Sequence, residues 1–263
     1  MLVCIKGAGD LASGIAVRLR RSRIDVVMTE LPVPLAVRRT VAFSEAIRLG
    51  STEVEDIKAE RADSIEEVQD CLSRGVIPVV PDPEAEIIKI LKPEVVVDAI
   101  LAKVNTGTTA DDANMVIGVG PGFTAGKDCH AVIETKRGHT LGRVITKGSA
   151  IANTGVPGNI GGETIRRLIK APADGIFHPE KKIGDIVKEG ARVGNVDGIP
   201  VRVLTGGVIR GLLQDGVPVT KGLKSGDVDP RGRMIDYMTV SDKATAIGGG
   251  VLEAILSYAG DRL

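Results

Sequence analysis

A chain of 263 residues in which Lys+Arg and Asp+Glu both number 34 carries no net charge, which argues against a general nucleic-acid or anionic-membrane binder. With no Trp and only 2 % aromatic residues there is almost nothing from which to build base-stacking platforms. The three cysteines, Cys4, Cys71 and Cys129, are too widely spaced and too few for a disulfide framework or a cysteine zinc site, and no stretch reads as a signal peptide or a membrane span, so a cytoplasmic protein is expected.

The chain opens with an apolar strand, Leu2-Val3-Cys4-Ile5-Lys6, that runs directly into Gly7-Ala8-Gly9-Asp10-Leu11-Ala12. Gly7, Gly9 and Ala12 satisfy G-x-G-x-x-G/A, in which the first glycine makes a tight turn, the second admits a pyrophosphate, and the third small residue lets helix and strand pack closely. The helix that follows places Leu11, Ile15 and Leu19 on one face, with Arg18, Arg20, Arg21 and Arg23 gathered at its end, where cations suit the helix dipole. A second strand from Asp25 to Thr29 ends at Glu30, about 20 residues past the glycines, where a ribose hydroxyl would be held. Asp10 has two readings, an N-cap or a charge that opposes a phosphate at the helix start.

Residues 32–62 give mixed signals. The Arg38-Arg39 pair within them would either hold a phosphate or lie on a solvated helix face. A helix is expected from Ser64 to Arg74, a strand over Val76–Val80, a helix from Glu84 to Leu91 and an apolar strand from Glu94 to Asp98. Unbroken apolar strands between helices indicate a parallel sheet covered on both faces. Ligands of such sheets bind beyond the carboxyl ends of the strands, so Lys103 and Asn105 are either ligand contacts or loop-organising residues.

After a strand over Met115–Val119 comes the densest polar stretch, residues 126–139, which holds two of the three histidines. Extended, it would project Asp128, His130 and Glu134 from one face, a set able to bind a metal or to carry acid–base chemistry, and the alternative is an ordinary polar outer face. Further on, Gly175, Gly184, Gly190 and Gly194 recur 32 residues later as Gly207, Gly216, Gly222 and Gly226, and Val187, Val196 and Asp197 recur as Val219, Val228 and Asp229. A repeated set of short strands and turns is the physical reading. A closing helix from Ser241 to Ala259 carries Gly248-Gly249-Gly250 at its centre, which implies a close backbone contact there.

The expected fold is therefore α/β. A Rossmann-like parallel-sheet domain spans 1–168, a small all-β barrel-sandwich domain spans 169–235, and a C-terminal helix over 236–263 packs back on the chain. The duplicated region resembles biotinyl and lipoyl carrier domains, but the hairpin at Val196-Asp197-Gly198-Ile199-Pro200 lacks the lysine that carriers modify, so neither biotin nor lipoate is expected.

Six stretches together resemble one family: GAGDLASGIAVRL (7–19), RRTVAFSEAI (38–47), DAILAKVNTGT (98–108), GPGFTAGKDCHAVIETKRGHTLGR (120–143), KSGDVDPR (224–231) and SDKATAIGGGVLEAIL (241–256). They are similar to the YqeB-type accessory proteins of selenium-dependent molybdenum hydroxylases. The resemblance implies a role in maturing such a hydroxylase by handling its cofactor or its selenium ligand. The cofactor itself is unassigned, with a nucleotide or the molybdenum cofactor implied, and the implied partners are a hydroxylase client and a nucleotide-like small molecule. No nucleic acid or membrane is implied, and a homo-oligomer stays open.

Carried onto this chain, the resemblance marks Gly7, Gly9, Asp10, Arg39, Lys103, Asn105, His130, Glu134, Arg137, His139, Asp227, Asp229 and Arg231. The resulting expectation assigns His130, Glu134, Arg137 and His139 to chemistry. It assigns Gly7, Gly9, Asp10, Ala12, Glu30, Arg39, Lys103 and Asn105 to ligand binding, and leaves the metal unknown. Two rival functions are a nicotinamide-dependent oxidoreductase using Gly7, Gly9 and Glu30, and a docking scaffold without catalysis.

Overall fold

The computed structural model describes residues 1–260, which fall into two compact units. One comprises Met1–Pro34, Val41–Asn153 and the chain from Val240 onward, and the other comprises Leu35–Thr40 and Thr154–Thr239.

The first unit is built on β1 (Leu2–Lys6), α1 (Asp10–Arg21), β2 (Asp25–Glu30), α2 (Glu45–Leu49), β3 (Ser51–Val54), β4 (Ile57–Arg61), α3 (Ile65–Ser73), β5 (Ile77–Pro81), α4 (Ile87–Leu91), β6 (Val95–Asp98), β7 (Met115–Val119), β8 (Ala131–Ile133), β9 (Val144–Ile145) and, from the far end of the chain, α5 (Asp242–Gly260). Its strands form one nine-stranded sheet in the order β3-β4-β5-β2-β1-β6-β7-β8-β9. The run from β4 to β8 is parallel. Both edge pairs, β3 with β4 and β8 with β9, are antiparallel.

The sheet is thus mixed, and the expected all-parallel Rossmann-like sheet is corrected on this point. The cause lies in the connections, because a two-residue link such as Glu55-Asp56 can join β3 to β4 only as an antiparallel hairpin.

Both faces of the sheet are covered, which is why its central strands read as unbroken apolar runs. Val3, Ile5 and Val97 face Ile15, Leu19, Ile247 and Val251 of α1 and α5. Cys4, Val27, Val96 and Val116 alternate to the other face, against Val68 of α3 and Ile87 of α4. The glycine triplet of α5 makes the close contact that its sequence implied. A Cβ on Gly250 would overlap the Gly142 carbonyl oxygen, and one on Gly14 would come within 2.6 Å of the Ala244 Cβ. The same contacts set α5 alongside α1 and under the loop that joins β8 to β9.

The second unit contains β10 (Leu168–Lys170), β11 (Gly175–Pro179), β12 (Ile186–Val187), β13 (Arg192–Val196), β14 (Ile199–Arg202), β15 (Gly207–Leu212), β16 (Val217–Val219) and β17 (Lys224–Asp229). The 32-residue repeat is visible in the coordinates, since β11, β12 and β13 correspond to β15, β16 and β17. The strands form two separate four-stranded antiparallel sheets, β10-β17-β15-β12 and β14-β13-β11-β16. Each half lends its middle strand to the other's sheet, with β12 pairing with β15 and β16 with β11. The expected barrel-sandwich of the biotinyl/lipoyl type is corrected accordingly: no ladder joins these two sheets among the described residues. The Asp197-Gly198 pair makes the two-residue hairpin between β13 and β14, with φ of 47° and 89° as a type I′ turn demands.

Candidate functional site

The sheet of the first unit reverses its strand order at β1, which lies between β2 and β6. In an open sheet the crevice beyond the carboxyl ends at such a point is where ligands bind. Gly7 occupies it with φ of +92°, and a Cβ there would stand 3.2 Å from the Ala99 carbonyl oxygen at the end of β6. Gly9 is the N-cap of α1 and offers no capping side chain. A Cβ at Gly9 would meet nothing within 4 Å, so the helix start is open on that side. Ala12 is 1 % exposed, as close packing of helix on sheet requires, and Asp10 is the acid in the first turn.

Glu30 ends β2 beside this turn. Its carboxylate accepts the N–H groups of Ala8 at 3.0 Å and of Leu31 at 2.8 Å. Burial pushes its pKa above the usual carboxylate value, and the two backbone N–H groups oppose that rise. A ribose hydroxyl would have to share this carboxylate with the turn's own backbone.

At the end of β6, Asn105 organises the following loop. Its side-chain oxygen accepts from Gly107 and Thr108, and its amide donates to the Thr108 carbonyl at 2.8 Å. Lys103 is exposed, adopts φ of +71° and donates to the Leu101 carbonyl. Lys243, in the first turn of α5, has its pKa lowered first by burial and then by the neighbouring charges of Arg137 and Lys103, against the pull of Asp10 and Glu134. Arg137 binds both carboxylate oxygens of Asp242 at 2.5 and 2.7 Å. Lys243 therefore stands within electrostatic reach of Asp10 in the first turn of α1, with Lys103 and Arg137 as its cationic neighbours.

The expected common face of Asp128, His130 and Glu134 does not form, because β8 is only three residues long and each side chain serves a different backbone group. Asp128 accepts from Thr124, and His130 Nδ1 accepts the Val116 N–H at 3.0 Å. Glu134, 2 % exposed, accepts from Thr135, Lys136 and Ile151, each at 2.8 Å. That carboxylate fastens the loop between β8 and β9. His139 is exposed on the same loop. Arg39 belongs to the second unit, where its Nε donates to the Leu212 carbonyl at 2.8 Å. No group of three or more His, Cys, Asp or Glu side chains suited to a metal ion occurs among the described residues.

Three residues of this end of the sheet carried no strong sequence signal. Lys6 and Asp98 are direct register partners on β1 and β6, and Thr108 lies between them. Lys6 Nζ donates to Thr108 Oγ1 at 2.6 Å, and Thr108 Oγ1 donates to Asp98 Oδ2 at 2.6 Å. Lys6 is 7 % exposed, and Asp98 and Thr108 are each 1 % exposed. A lysine closing an apolar strand is the hint for Lys6, and Asp98 and Thr108 bound the stretch 98–108 that carries the family resemblance. The cysteines take no part: burial pushes the Cys4 thiol up to about 12 and the Cys129 thiol to about 11, so neither is a thiolate at neutral pH.

No family model matches the chain. Among the described residues no helix is long and apolar enough to cross a membrane. Solved structures with weak likeness include an aspartoacylase family protein from Mesorhizobium loti, with 15 % identity, a TM-score of 0.30 and coverage of 86 % of this chain and 84 % of that one. Another is a succinylglutamate desuccinylase/aspartoacylase from Rhodobacter sphaeroides, with 15 % identity, a TM-score of 0.28 and the same coverage. Scores this low carry nothing about chemistry. A far stronger match is the uncharacterized protein YqeB of Escherichia coli strain K12, 53 % identical over 255 residues, which make up 97 % of this chain and 47 % of that protein. The chain thus spans about half the length of the curated relative it matches, and that close homologue bears the name of the YqeB-type family that the motifs resemble.

Proposed function

We propose that this chain serves in the maturation of molybdenum hydroxylases, selenium-dependent ones by the family resemblance, and that it does so by holding an anionic, nucleotide-like ligand at the turn between β1 and α1. The observation that carries the reading is the open start of α1 at Gly9, where no side chain caps the helix and the positive end of the helix dipole receives an anion. Lys243 supports it by offsetting the charge of Asp10. In this reading Gly7 and Gly9 admit the ligand's phosphate. Glu30, Asn105 and Glu134 hold the surrounding loops, and His130 and His139 stand outside the phosphate site.

The test has two arms. Purified protein is screened by thermal shift against cytidine nucleotides, nicotinamide nucleotides and molybdate, and the screen is repeated with Lys243→Ala. A ligand that binds only the folded chain raises the midpoint by mass action. A shift with a cytidine nucleotide or molybdate that shrinks in the variant is expected, and a shift confined to nicotinamide nucleotides would replace the proposal with an oxidoreductase. In cells, deletion of the gene is expected to abolish hydroxylase activity while hydroxylase protein persists. Unchanged activity would sink the maturation role.

A further inference from the structure

The first unit contains a cleft of about 900 Å³ on the side of the sheet that carries α4, away from the start of α1. Its walls come from α4, from residues 107–114 and from His130, and Lys6 is the buried charged residue in its lining. An ammonium carries three donors, and the hydrogen bond to Thr108 engages one of them. Asp98 compensates the charge from 3.8 Å without a hydrogen bond. A buried cation with donors still open asks for an acceptor from the cleft.

His130 supplies a second donor. Its Nδ1 accepts the Val116 N–H, which leaves Nε2 as the donor nitrogen of the ring, and His130 lines the cleft. The mouth has the opposite character. Lys89 pairs with Glu86 at 2.7 Å and Asp112 accepts from Thr109 at 2.8 Å, and the carboxylates Glu84, Glu86, Asp111 and Asp112 outnumber Lys89 and Lys92 there. A simple polyanion meets these carboxylates on the way in. A molecule with an anionic head and a cationic tail is matched at both depths.

We propose that this cleft binds a small zwitterion of the amino-acid type, its carboxylate received by Lys6 and His130 and its ammonium group facing Glu84 and Asp111. The site is independent of the ligand proposed at α1.

The test uses 4-aminobutanoate as probe, butanoate as the same acid without the amine, and inorganic phosphate as a bare anion. Calorimetry measures affinity, and the imidazole ¹⁵N–¹H resonances of His130 report where the probe sits. The aminobutanoate is expected to perturb the Nε2 signal and to bind more tightly than butanoate. Lys6→Met is expected to weaken it about tenfold or more, as loss of a charge-assisted hydrogen bond does. Should that variant fail to fold, the exposed pair Glu84→Gln and Asp111→Asn decides, with the preference for aminobutanoate over butanoate expected to vanish. An unperturbed His130, equal affinity in native protein and Lys6→Met, or phosphate binding as tightly as the zwitterion would each overturn the proposal.

Discussion

The two units hold themselves together by different means. In the second, β17 buries two carboxylates. Asp229 is fully buried and takes Arg231 through both oxygens at 2.9 and 2.8 Å, and Asp227, 4 % exposed, stands 3.6 Å from Arg167. In the first, the long C-terminal helix is seated by bare backbone, with Gly250 against Gly142 and Gly248 against Gly14. Two of its carboxylates at the ends of strands, Glu30 and Glu134, are held by backbone N–H groups, while the buried Asp98 faces Lys6 between β1 and β6. In the second unit the buried carboxylates crowd one strand and face arginines. In the first, one buried charge pair joins two strands and other carboxylates fasten loops around the carboxyl ends of the sheet.

The contrast breaks most directly at Asp229. Asp229→Asn removes the charge-assisted hydrogen bonds from the half-exposed Arg231 and sets a buried amide NH2 group against its guanidinium, so it is expected to destabilise the protein by about 3 kcal/mol in urea or guanidinium unfolding at neutral pH. Burial works against ionisation of Asp229, but the hydrogen bonds from Arg231 outweigh it and hold its carboxyl below the usual value. A depressed carboxyl contributes stability above the unfolded value, about 3.9, and that contribution is lost as the pH falls through the lower folded value. The difference between wild type and Asp229→Asn should therefore close in acid. A cost below about 1 kcal/mol at neutral pH would mean that charge is not what locks β17.

The glycine contact comes next in size. A methyl group at Gly250 has no room beside the Gly142 carbonyl, so Gly250→Ala is expected to cost about 2 kcal/mol from overpacking. Gly249, one residue away on the same helix, has nothing within 4 Å of its Cβ position, and Gly249→Ala is expected to stabilise by up to about 1 kcal/mol through helix propensity. Adjacent positions thus carry opposite signs. Equal effects at both would show that α5 is not seated by its glycines.

These same elements mark how far the sequence could be read. The strand, turn and helix at the start, the 32-residue repeat and the close contact of the α5 glycines were all legible, because each rests on local spacing. The hairpin of β3 and β4 was not, since Glu55-Asp56 lacks the glycine or asparagine that announces a tight turn, and Glu55 adopts φ of +57° without one. The polar run 126–139 reads as one strand by alternation, yet only Ala131–Ile133 pairs as β8, and the side chains around it turn to backbone groups as far as 17 residues away. Arg39 finds Leu212 across 173 residues. Lys6 became a site residue only when β6 came alongside β1 and set Asp98 opposite it. Contacts of that range leave no local pattern.

The smallest expected effect separates the two kinds of buried carboxylate. Burial raises the pKa of Glu30, the reverse of Asp229, so the folded chain favours its protonated form more than the unfolded chain does. Its contribution to stability is complete below the unfolded value of about 4.3 and is lost as the pH rises through the folded value above it. Glu30→Gln keeps an oxygen for the Ala8 N–H and removes the charge, so it should change stability by less than about 1 kcal/mol at neutral pH. As the pH climbs from about 4.3, the wild type should lose stability relative to this variant, whereas it should gain stability relative to Asp229→Asn as the pH climbs toward neutrality. Parallel unfolding series on the two variants across that range would read both slopes. Slopes of the same sign would show that the carboxylate beside the glycine turn is held as tightly in its ionised form as the one inside β17.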